Sequence, residues 1–584
     1  MDIAACLHVK RNVVILDRVI HSNTRSLLLL AIPLVLSAYT HLWNPTGFPV
    51  FHIDEGHYLR KAMFVLDGNG LQEGAEDVLS HYGRIYTHPY FSQIFLAGIF
   101  AMIGYPDSLN PTPGDVHSIE MLWFVPRVLM GLLAVVDTLL IYKIAERRYN
   151  RTVALIASIL FAVMPISWIT RMVLLDSILL PFLLSSILFA VYLKDSKYQE
   201  NNKKKIAIVL LSGIFIGLAI FTKVPAFTAI PLVGVLIYTN SSSHKLRTLG
   251  LWFVPVILIP LIWPAYSLAT GQLDEWFNGV LWQAGRGGQF SQVFRATDNL
   301  FKFDPVFMSL GFAGLFFAAV KRDFFPLLWA IPFMIFMYLL GYVSYWFMIP
   351  LLLPLCIAAA SMIQDLSSRI SKKKMIHQIL PFAIISVIGI FGIITTSMLI
   401  TLNVNATHLA AQAFLTENLP AISGADDQSD NRVYIIGRPT YIWILKYAFD
   451  EGNNDFQSYY NKGKIYRSIS EGNADKFVFI VDGKFRNDLK KSTTKQNIKA
   501  IQELYDNSTT LAKINVTNPN KIDGDQYPYS TNTKIGGKGG GRVEIRASNY
   551  ITDGSSNNNN TIITDETLQR GLTGDILADL NLTS

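Results

Sequence analysis

Residues 51–60 read FHIDEGHYLR and place two adjacent acids, Asp54 and Glu55, between His52 and His57. The stretch follows the first long apolar run of a strongly apolar chain. Ionisable groups within apolar surroundings are costly to bury and are commonly functional. Acids and cations around one cavity would suit an anionic substrate together with a base. Isolated charges of this kind stand inside or beside later apolar runs: Arg127, Arg171, Asp176 and Lys223.

One reaction that needs this combination is the transfer of a sugar from a lipid phosphate. The phosphate departs as an anion, so it needs cations and no general acid. A guanidinium group can bind two of its oxygens at once. The accepting hydroxyl is a poor nucleophile and needs one carboxylate as general base. Glycoside hydrolysis, in contrast, divides its work between two carboxyl groups.

The elements that must position these residues are apolar helices. Apolar runs of about 16–25 residues recur up to Leu402 and then stop, and runs of this length are candidate membrane spans. They predict a polytopic α-helical membrane protein with about eleven transmembrane helices and a large first extracytoplasmic loop, followed by a C-terminal soluble α/β domain. A shorter apolar run, 90–104, is predicted to lie at the membrane surface. The predicted spans are 26–43, 121–142, 152–168, 176–193, 206–221, 224–238, 249–268, 305–320, 324–341, 345–364 and 377–401.

The distribution of charge predicts how these spans are oriented. Loops expected in the cytoplasm are basic, among them KIAERRYNR at 143–151 and SSRISKKK at 367–374, as the positive-inside rule requires. The N-terminus, read as a retained signal-anchor, is then cytoplasmic, and the C-terminal domain is extracytoplasmic. The expected location is the cell membrane, with multiple passes and contact with membrane lipid. Because the basic excess behind the net charge of +7 lies in these loops, no nucleic-acid partner is expected.

The predicted domain boundary follows the last apolar run. Residues 1–402 form the transmembrane domain. Residues 403–584 form the extracytoplasmic α/β domain, with β-like runs at 433–437 and 476–483 alternating with helical ones. GGKGGG (536–541) and SSNNNN (555–560) predict disordered stretches within it. Its Asn-x-Ser/Thr sequons agree with an outside location and begin at Asn405, Asn507, Asn515, Asn559 and Asn581.

Several short motifs lie on the same predicted side of the membrane, and their order is informative. They are IDEGHY (53–58), THPYFSQ (87–93), RMVLLD (171–176), GLAIFTK (217–223) and YWFMIPLLLP (345–354). In this order they resemble the multi-span glycosyltransferases of the C-type fold, which use lipid-phosphate sugars. The chain is most similar to the protein O-mannosyltransferases with their prokaryotic relatives, and to the aminoarabinose lipid A transferases.

The chain also departs from these families at definite positions. Their HPPLGK element reads HPYFSQ here, and Tyr86 replaces an aspartate that precedes it. The tail has no WWDYG motif, which argues against en bloc transfer of an oligosaccharide to asparagine.

The resemblance implies that Asp54 is the catalytic base and that Arg171 binds the lipid phosphate. Glu55 is assigned to the catalytic pair, with helix capping or orientation of a neighbour as its alternative role. Lys223 and Arg127 are predicted to join Arg171 at the phosphate. For Lys223 the alternative is an extended side chain that reaches the lipid headgroups.

Further residues are expected to contact the substrate or to support the site: His57, His88, Asp176 and Arg286. Asp176 has an alternative role as the ion-pair partner of Arg171, five residues earlier. The outer loop 269–304 contains Arg286 and is predicted to act as a mobile lid. Tyr345 and Trp346 have the aromatic belt at the membrane interface as their default reading.

No cofactor is expected. A divalent metal remains an alternative, because His52, Asp54 and His57 could meet at one ion. No metal site is favoured, since their spacing is neither His-x-His nor His-x-x-x-His.

The predicted function is an inverting glycosyltransferase at the outer membrane face. It would move a hexose, with mannose as the first expectation, from a polyprenyl- or dolichyl-phosphate donor to a hydroxyl on a protein or glycan acceptor. The alternatives are a secondary transporter, which would usually show repeated halves, and a catalytically inactive glycosyltransferase-like subunit.

Overall fold

The computed structural model describes residues 28–71, 86–285, 291–341, 343–370, 374–423, 433–449, 455–459, 462–470, 476–490, 496–516 and 542–549. Most of these residues are helical. The helices before residue 402 are α1 (Leu28–Leu42), α2 (Ile53–Leu66), α3 (Phe91–Ile103), α4 (Val116–Arg148), α5 (Arg151–Val163), α6 (Leu175–Tyr192), α7 (Ser196–Gln199), α8 (Asn202–Thr222), α9 (Ile230–Asn240), α10 (Lys245–Leu258), α11 (Ile262–Ala269), α12 (Leu273–Gly285), α13 (Ser291–Phe303), α14 (Pro305–Lys321), α15 (Phe324–Leu340), α16 (Ile349–Ile370) and α17 (Lys374–Ile400).

The apolar helices coincide with the predicted spans. Among the described residues, five helices are long and apolar enough to cross a membrane, and the number rises to eight if each bent pair is one span. The bent pairs are α5 with the 3₁₀ helix Pro165–Arg171, α10 with α11, and α13 with α14, with bends of 70°, 40° and 118°. Shorter apolar helices cover the other predicted spans. Several apolar membrane helices are thus confirmed, and the number eleven stays a prediction.

Short 3₁₀ helices break the bundle beside the charges singled out in the sequence. Proline stands in the first turn of two of them and cannot donate a backbone hydrogen bond, so a regular helix does not run through these segments. Arg171, Lys223 and Tyr345 therefore lie at breaks between helices. The 3₁₀ helices concerned are Pro165–Arg171, Val224–Ala229 and Tyr345–Met348.

Helix α2 begins with a reciprocal cap. The backbone N–H of His52 donates to Glu55 Oε1 (2.8 Å), and the backbone N–H of Asp54 donates to His52 Nδ1 (3.2 Å). This arrangement is a capping box, which satisfies amide groups that the first helical turn leaves without partners. Helix α2 then packs against α3. Asp54 consequently sits in the first turn of a helix that is fixed at its start and along one flank.

Among its described residues, the tail contains a five-stranded mixed sheet. Its strands are β1 (Val433–Gly437), β2 (Asp455–Ser458), β3 (Lys476–Val481), β4 (Thr509–Ile514) and β5 (Val543–Asn549), and they lie in the order β2-β1-β3-β5-β4. Strands β2, β1 and β3 are parallel to one another, and β5 runs antiparallel to both β3 and β4. Helices separate β1, β2, β3 and β4 from one another in sequence. The elements are α18 (Ala406–Ser423), β1 (Val433–Gly437), α19 (Pro439–Ala448), β2 (Asp455–Ser458), α20 (Lys462–Ser470), β3 (Lys476–Val481), α21 (Gly483–Lys490), α22 (Gln496–Asp506), β4 (Thr509–Ile514) and β5 (Val543–Asn549).

The sequons of the tail differ in accessibility. Asn507 and Asn515 are exposed. Asn405 is buried, and its amide nitrogen donates to the carbonyls of Thr46 (2.7 Å) and Pro49 (2.9 Å). The Asn405 sequon is therefore not accessible in the folded protein. Four features predicted in the tail lie outside the described residues: Asn559, Asn581, 536–541 and 555–560.

Acid is expected to loosen the junction between tail and membrane helices through His408. Its ring stacks on Tyr441 with centroids 3.8 Å apart, and burial lowers its pKa from 6.5 to about 3. The folded protein thus holds the ring neutral. The stabilisation from this group is complete above about pH 6.5 and is lost as the pH falls towards 3. Thermal unfolding in detergent at a series of pH values should show the decline.

The control for this pH dependence is His408→Phe, which keeps an aromatic ring on Tyr441 and removes the titrating group. Arg438, Arg127 and Asp482 also interact with His408 electrostatically. Burial acts to raise the pKa of Asp482, but the Arg438 guanidinium holds it below its ordinary value of 3.8, so Asp482 adds a loss of stability that begins only below about pH 4. An equally steep decline between about pH 6.5 and 5 in the variant would contradict the assignment to His408.

Candidate active site

The site is built around Asp54, in the first turn of α2. Its side chain is 30% exposed, and Oδ2 lies 3.7 Å from His52 Nδ1. The carboxylate also interacts electrostatically with Asp176 and Tyr345, which places it near two elements distant in sequence. Asp54 is therefore a solvent-accessible carboxylate at a meeting point of buried polar groups.

Lys223 and Asp176 form a buried ion pair at this point. Lys223 Nζ donates to Asp176 Oδ2 at 2.6 Å, joining the end of α8 to the first turn of α6. The ammonium group also lies 4.3 Å from the centroid of the Phe347 ring. This pairing excludes the alternative in which Asp176 serves Arg171. It also excludes an extended Lys223 at the headgroups, because the residue is buried.

Aromatic side chains from the 3₁₀ helix Tyr345–Met348 enclose one side of the site. The Trp346 ring packs edge-on against the His52 ring with centroids 4.4 Å apart. Tyr345 is buried and contacts Phe303 with centroids 4.8 Å apart. Tyr345 is accordingly part of the protein interior and not of an exposed interface belt. The two rings connect the surroundings of Asp54 to α13.

Glu55 and Arg127 form a second buried ion pair, which has no exposed surface. Glu55 Oε1 accepts from Arg127 Nη2 (2.7 Å), and Oε2 accepts from Arg127 Nε (3.0 Å) and from the backbone N–H of Val173 (3.0 Å). Arg127 Nη1 donates to the carbonyls of Pro45 and Pro49, both at 2.8 Å. Their polar atoms are thus occupied within the protein. This geometry favours supporting roles for Glu55 and Arg127 over the direct catalytic and phosphate-binding roles predicted from sequence.

Replacing one member of this pair is expected to destabilise the protein strongly. Arg127→Met leaves the Glu55 carboxylate buried without its cation, a loss that typically costs about 3–5 kcal/mol. The variant should unfold at markedly lower temperature in detergent, as measured by tryptophan fluorescence.

The double variant Glu55→Gln with Arg127→Met is the control for this prediction. It removes both charges, so its unfolding temperature should lie above that of Arg127→Met alone. If the double variant is less stable than the single one, the buried charge is not the cause.

Arg171 is a buried cation of a different kind. It has no exposed surface, and Nη2 donates to the carbonyl of Trp43. Its Nε and Nη1 have no hydrogen-bond partner among the described residues. Arg127 and His41 lie close enough to interact with it electrostatically, and neither offers a negative charge. The guanidinium therefore keeps donors for an additional acceptor, as the predicted phosphate role requires.

The remaining predicted site residues are His57, His88 and Arg286. The Tyr58 ring lies between His57 and His88, with centroid distances of 5.7 and 6.3 Å. His88 Nε2 is 3.4 Å from Gln283 Nε2, which links it to α12. Arg286 lies outside the described residues.

The outer loop predicted as a lid consists, where described, of α12 and α13. Tyr86, at the position where the related families have aspartate, donates to Gln272 Oε1 at 2.6 Å. Trp276 packs on Trp263 with centroids 5.6 Å apart. These contacts attach the start of the loop to the edge of the site. Movement of this loop stays a prediction.

The metal alternative finds no support in the arrangement of side chains. Within the described ranges, no three His, Cys, Asp or Glu side chains are placed to hold one ion, and His52, Asp54 and His57 all fall inside those ranges. A divalent metal stays an alternative prediction.

Part of this chain matches a known sequence family. The sequence family of dolichyl-phosphate-mannose-protein mannosyltransferases matches residues 76–263, a span that contains Arg127, Arg171, Asp176 and Lys223. No curated protein gives a significant sequence match.

Several solved structures share the fold at low sequence identity. ArnT from Cupriavidus metallidurans in the apo state is 11% identical, with 90% of this chain and 98% of that chain covered and a TM-score of 0.52. AglB, an oligosaccharyltransferase from Archaeoglobus fulgidus in complex with an inhibitory peptide and a dolichol-phosphate, is 14% identical, with 84% and 73% covered and a TM-score of 0.53. The A. fulgidus oligosaccharyltransferase tethered to an acceptor peptide is 12% identical, with 78% and 69% covered and a TM-score of 0.50.

The family match covers about a third of this chain, and the solved structures share its fold. The chain thus resembles the protein O-mannosyltransferases and ArnT. The resemblance predicted from the order of the motifs is thereby confirmed.

Proposed function

We propose that the protein transfers a hexose, with mannose as the first candidate, from a polyprenyl- or dolichyl-phosphate donor to a hydroxyl group at the outer face of the membrane. The observation that carries the proposal is the position of Asp54, a partly exposed carboxylate close to the buried Lys223–Asp176 pair. A carboxylate base and a cation thus lie in the same part of the molecule, as transfer from a sugar phosphate requires. The family match to dolichyl-phosphate-mannose-protein mannosyltransferases supports mannose.

The chemistry follows from these groups. The Asp54 carboxylate accepts the proton of the acceptor hydroxyl, whose oxygen attacks the anomeric carbon. The bond from that carbon to the phosphate oxygen breaks, and the electron pair leaves with the polyprenyl phosphate. Because attack and departure occur on opposite faces of the sugar, the anomeric configuration inverts. No metal or organic cofactor takes part in this scheme.

The cations divide the leaving charge. Lys223 lies at a helix break, and Asp176 fixes its ammonium at 2.6 Å. Fixed cations at a site that excludes water stabilise developing charge strongly. Arg171 supplies the two guanidinium nitrogens that have no partner among the described residues. Its complete burial requires the phosphate to enter the protein interior to reach them.

The acceptor is proposed to be a hydroxyl on a protein, with a glycan as the second candidate. AglB binds a peptide and a dolichol-phosphate. Its fold is shared by this chain, and this supports a lipid-phosphate donor together with a protein acceptor. Release of the phosphate on the outer side fits the proposed topology, with about eleven spans, a cytoplasmic N-terminus and residues 403–584 outside.

The experiment is transfer by the purified full-length protein in liposomes that contain radiolabelled polyprenyl-phosphate sugars. Mannosyl, glucosyl and aminoarabinosyl donors are compared with serine- and threonine-containing peptides as acceptors. Transfer of label from a hexose donor, with inversion, supports the proposal. Absence of transfer and of donor cleavage with every donor would favour a catalytically inactive subunit.

A further inference from the structure

We propose that the tail is a positioning element of the active site. Its contacts with the segment from Thr46 to Gly56, here called the grip, fix the position of Asp54. This inference rests on the proposed function for the role of Asp54, and on separate contacts for the grip itself. Asn405 and Pro439 supply those contacts from the tail.

The closest contact joins α2 to the start of α19. A Cβ atom added to Gly56 would lie 2.6 Å from the backbone carbon and oxygen of Pro439 and 2.7 Å from the nitrogen of Thr440. Real side-chain atoms do not approach a backbone so closely, so only glycine permits this packing. This contact sets the distance between α2 and the tail. Gly56 is two residues after Asp54, so the same contact also bears on the position of Asp54.

A second contact holds the chain just before α2. The Asn405 amide nitrogen donates to the carbonyls of Thr46 and Pro49, and its Oδ1 accepts from the backbone N–H of Phe51 at 3.0 Å. The backbone N–H of Val404 also donates to the carbonyl of Gly47 at 2.9 Å. One buried side chain thus satisfies three backbone groups of an irregular segment, which otherwise has no ladder to join.

The carboxyl ends of the parallel strands in the sheet of the tail face the segment from Thr46 to Gly56. In open α/β sheets, ligands bind beyond the carboxyl ends of parallel strands, where the strand order reverses. Here that point lies between β1 and β3, because the chain passes from β1 to β2 on one side and then to β3 on the other. Arg438 follows β1 and Asp482 follows β3, and Arg438 Nη1 donates to Asp482 Oδ2 at 2.7 Å.

The group that lies at the carboxyl ends of these strands comes from the same chain. Arg438 Nη2 lies 3.5 Å from the carbonyl oxygen of Phe51. The Phe51 ring stacks on Trp123 at 3.9 Å and meets the edge of His408 at 5.0 Å. Phe51 is therefore held between a membrane helix and the tail, three residues before Asp54.

The test uses two variants and one matched control in the full-length protein. Gly56→Ala introduces the methyl group that meets the Pro439 backbone. Gly98→Ala introduces the same group in α3, where no atom lies within 4 Å of the added carbon. Asn405→Asp removes both donated hydrogen bonds without adding volume, and it carries the test if Gly56→Ala fails to fold.

The first measurement is hydrogen–deuterium exchange of residues 46–60, and the second is kcat and donor KM for sugar transfer. Gly56→Ala and Asn405→Asp are expected to speed exchange in this segment by about tenfold or more and to lower kcat by a similar or larger factor, with KM nearly unchanged, because small displacements of a reacting group reduce rates steeply. Gly98→Ala should change neither.

The outcomes separate this inference from the proposed function. Unchanged exchange at 46–60 in both variants would overturn the grip, whatever the activity. Faster exchange with unchanged kcat would overturn the positioning role. If the wild type transfers no sugar but both variants speed exchange, the proposed function fails and the grip between tail and α2 stands.

Discussion

Asp54→Asn is expected to lower the rate of sugar transfer by about 10²–10⁴-fold, the range that general base catalysis contributes. Asparagine keeps the size of the side chain and can still hydrogen-bond, but it cannot accept the proton of the acceptor hydroxyl. The partial exposure of Asp54 indicates that the change should leave the folded structure intact. Transfer from the labelled donor, measured at saturating acceptor, reports the effect.

The matched control is Asp365→Asn. Asp365 has the same side-chain exposure as Asp54, 30%, and pairs with Lys321 in a different part of the chain. Exposed ion pairs contribute little to stability, so this variant should retain wild-type transfer. Undiminished turnover by Asp54→Asn would remove Asp54 as the base.

Lys223→Gln is expected to reduce kcat/KM for the donor by about 10²–10³-fold, since removal of one fixed donor to a developing anion has an effect of this size. The same substitution leaves the Asp176 carboxylate buried without its partner, so stability should fall as well. Activity and thermal unfolding are therefore measured on the same preparations.

A second substitution separates the two effects. The double variant Asp176→Asn with Lys223→Gln removes both charges, so it should recover stability relative to Lys223→Gln without recovering transfer. Lys205→Gln serves as the control, because Lys205 is buried to the same degree, with 7% exposure, and donates to the carbonyl of Ser243. Recovery of transfer in the double variant would show that Lys223 acts through stability alone.

The sequence predicted the parts of this molecule that depend on local physics. Apolar length placed the membrane helices, and β-branched runs anticipated the strands at 433–437 and 476–481. The bends between helices were not predicted, because an apolar run indicates the length of a helix and not its angle to the next helix. For that reason the number of spans could not be fixed by counting runs.

The pairing of charges could not be predicted, since it depends on how distant helices meet. Closeness in sequence suggests Arg171 as the partner of Asp176, yet the actual partner is Lys223, 47 residues away. Glu55 joins Arg127 across 72 residues. The motifs indicated that these residues belong together, but not which of them neutralise one another.

Asn405 shows that a local sequence pattern does not indicate burial. The triplet Asn-Ala-Thr satisfies the glycosylation pattern, yet the side chain is buried against Thr46 and Pro49. The position of Asn405 directly after the last apolar run could have indicated that its side chain is buried. Trp346 was likewise read as a membrane-interface residue, although its ring contacts His52 beside Asp54.

The Asn405 contact also imposes an order on biosynthesis. Its partner Phe51 lies 354 residues earlier, so the two can meet only after every intervening span has been inserted. Until then, the irregular backbone before α2 lacks the hydrogen bonds that the Asn405 side chain makes with it. A nascent or truncated chain that ends before Asn405 would accordingly carry Asp54 on a helix whose preceding segment lacks these hydrogen bonds.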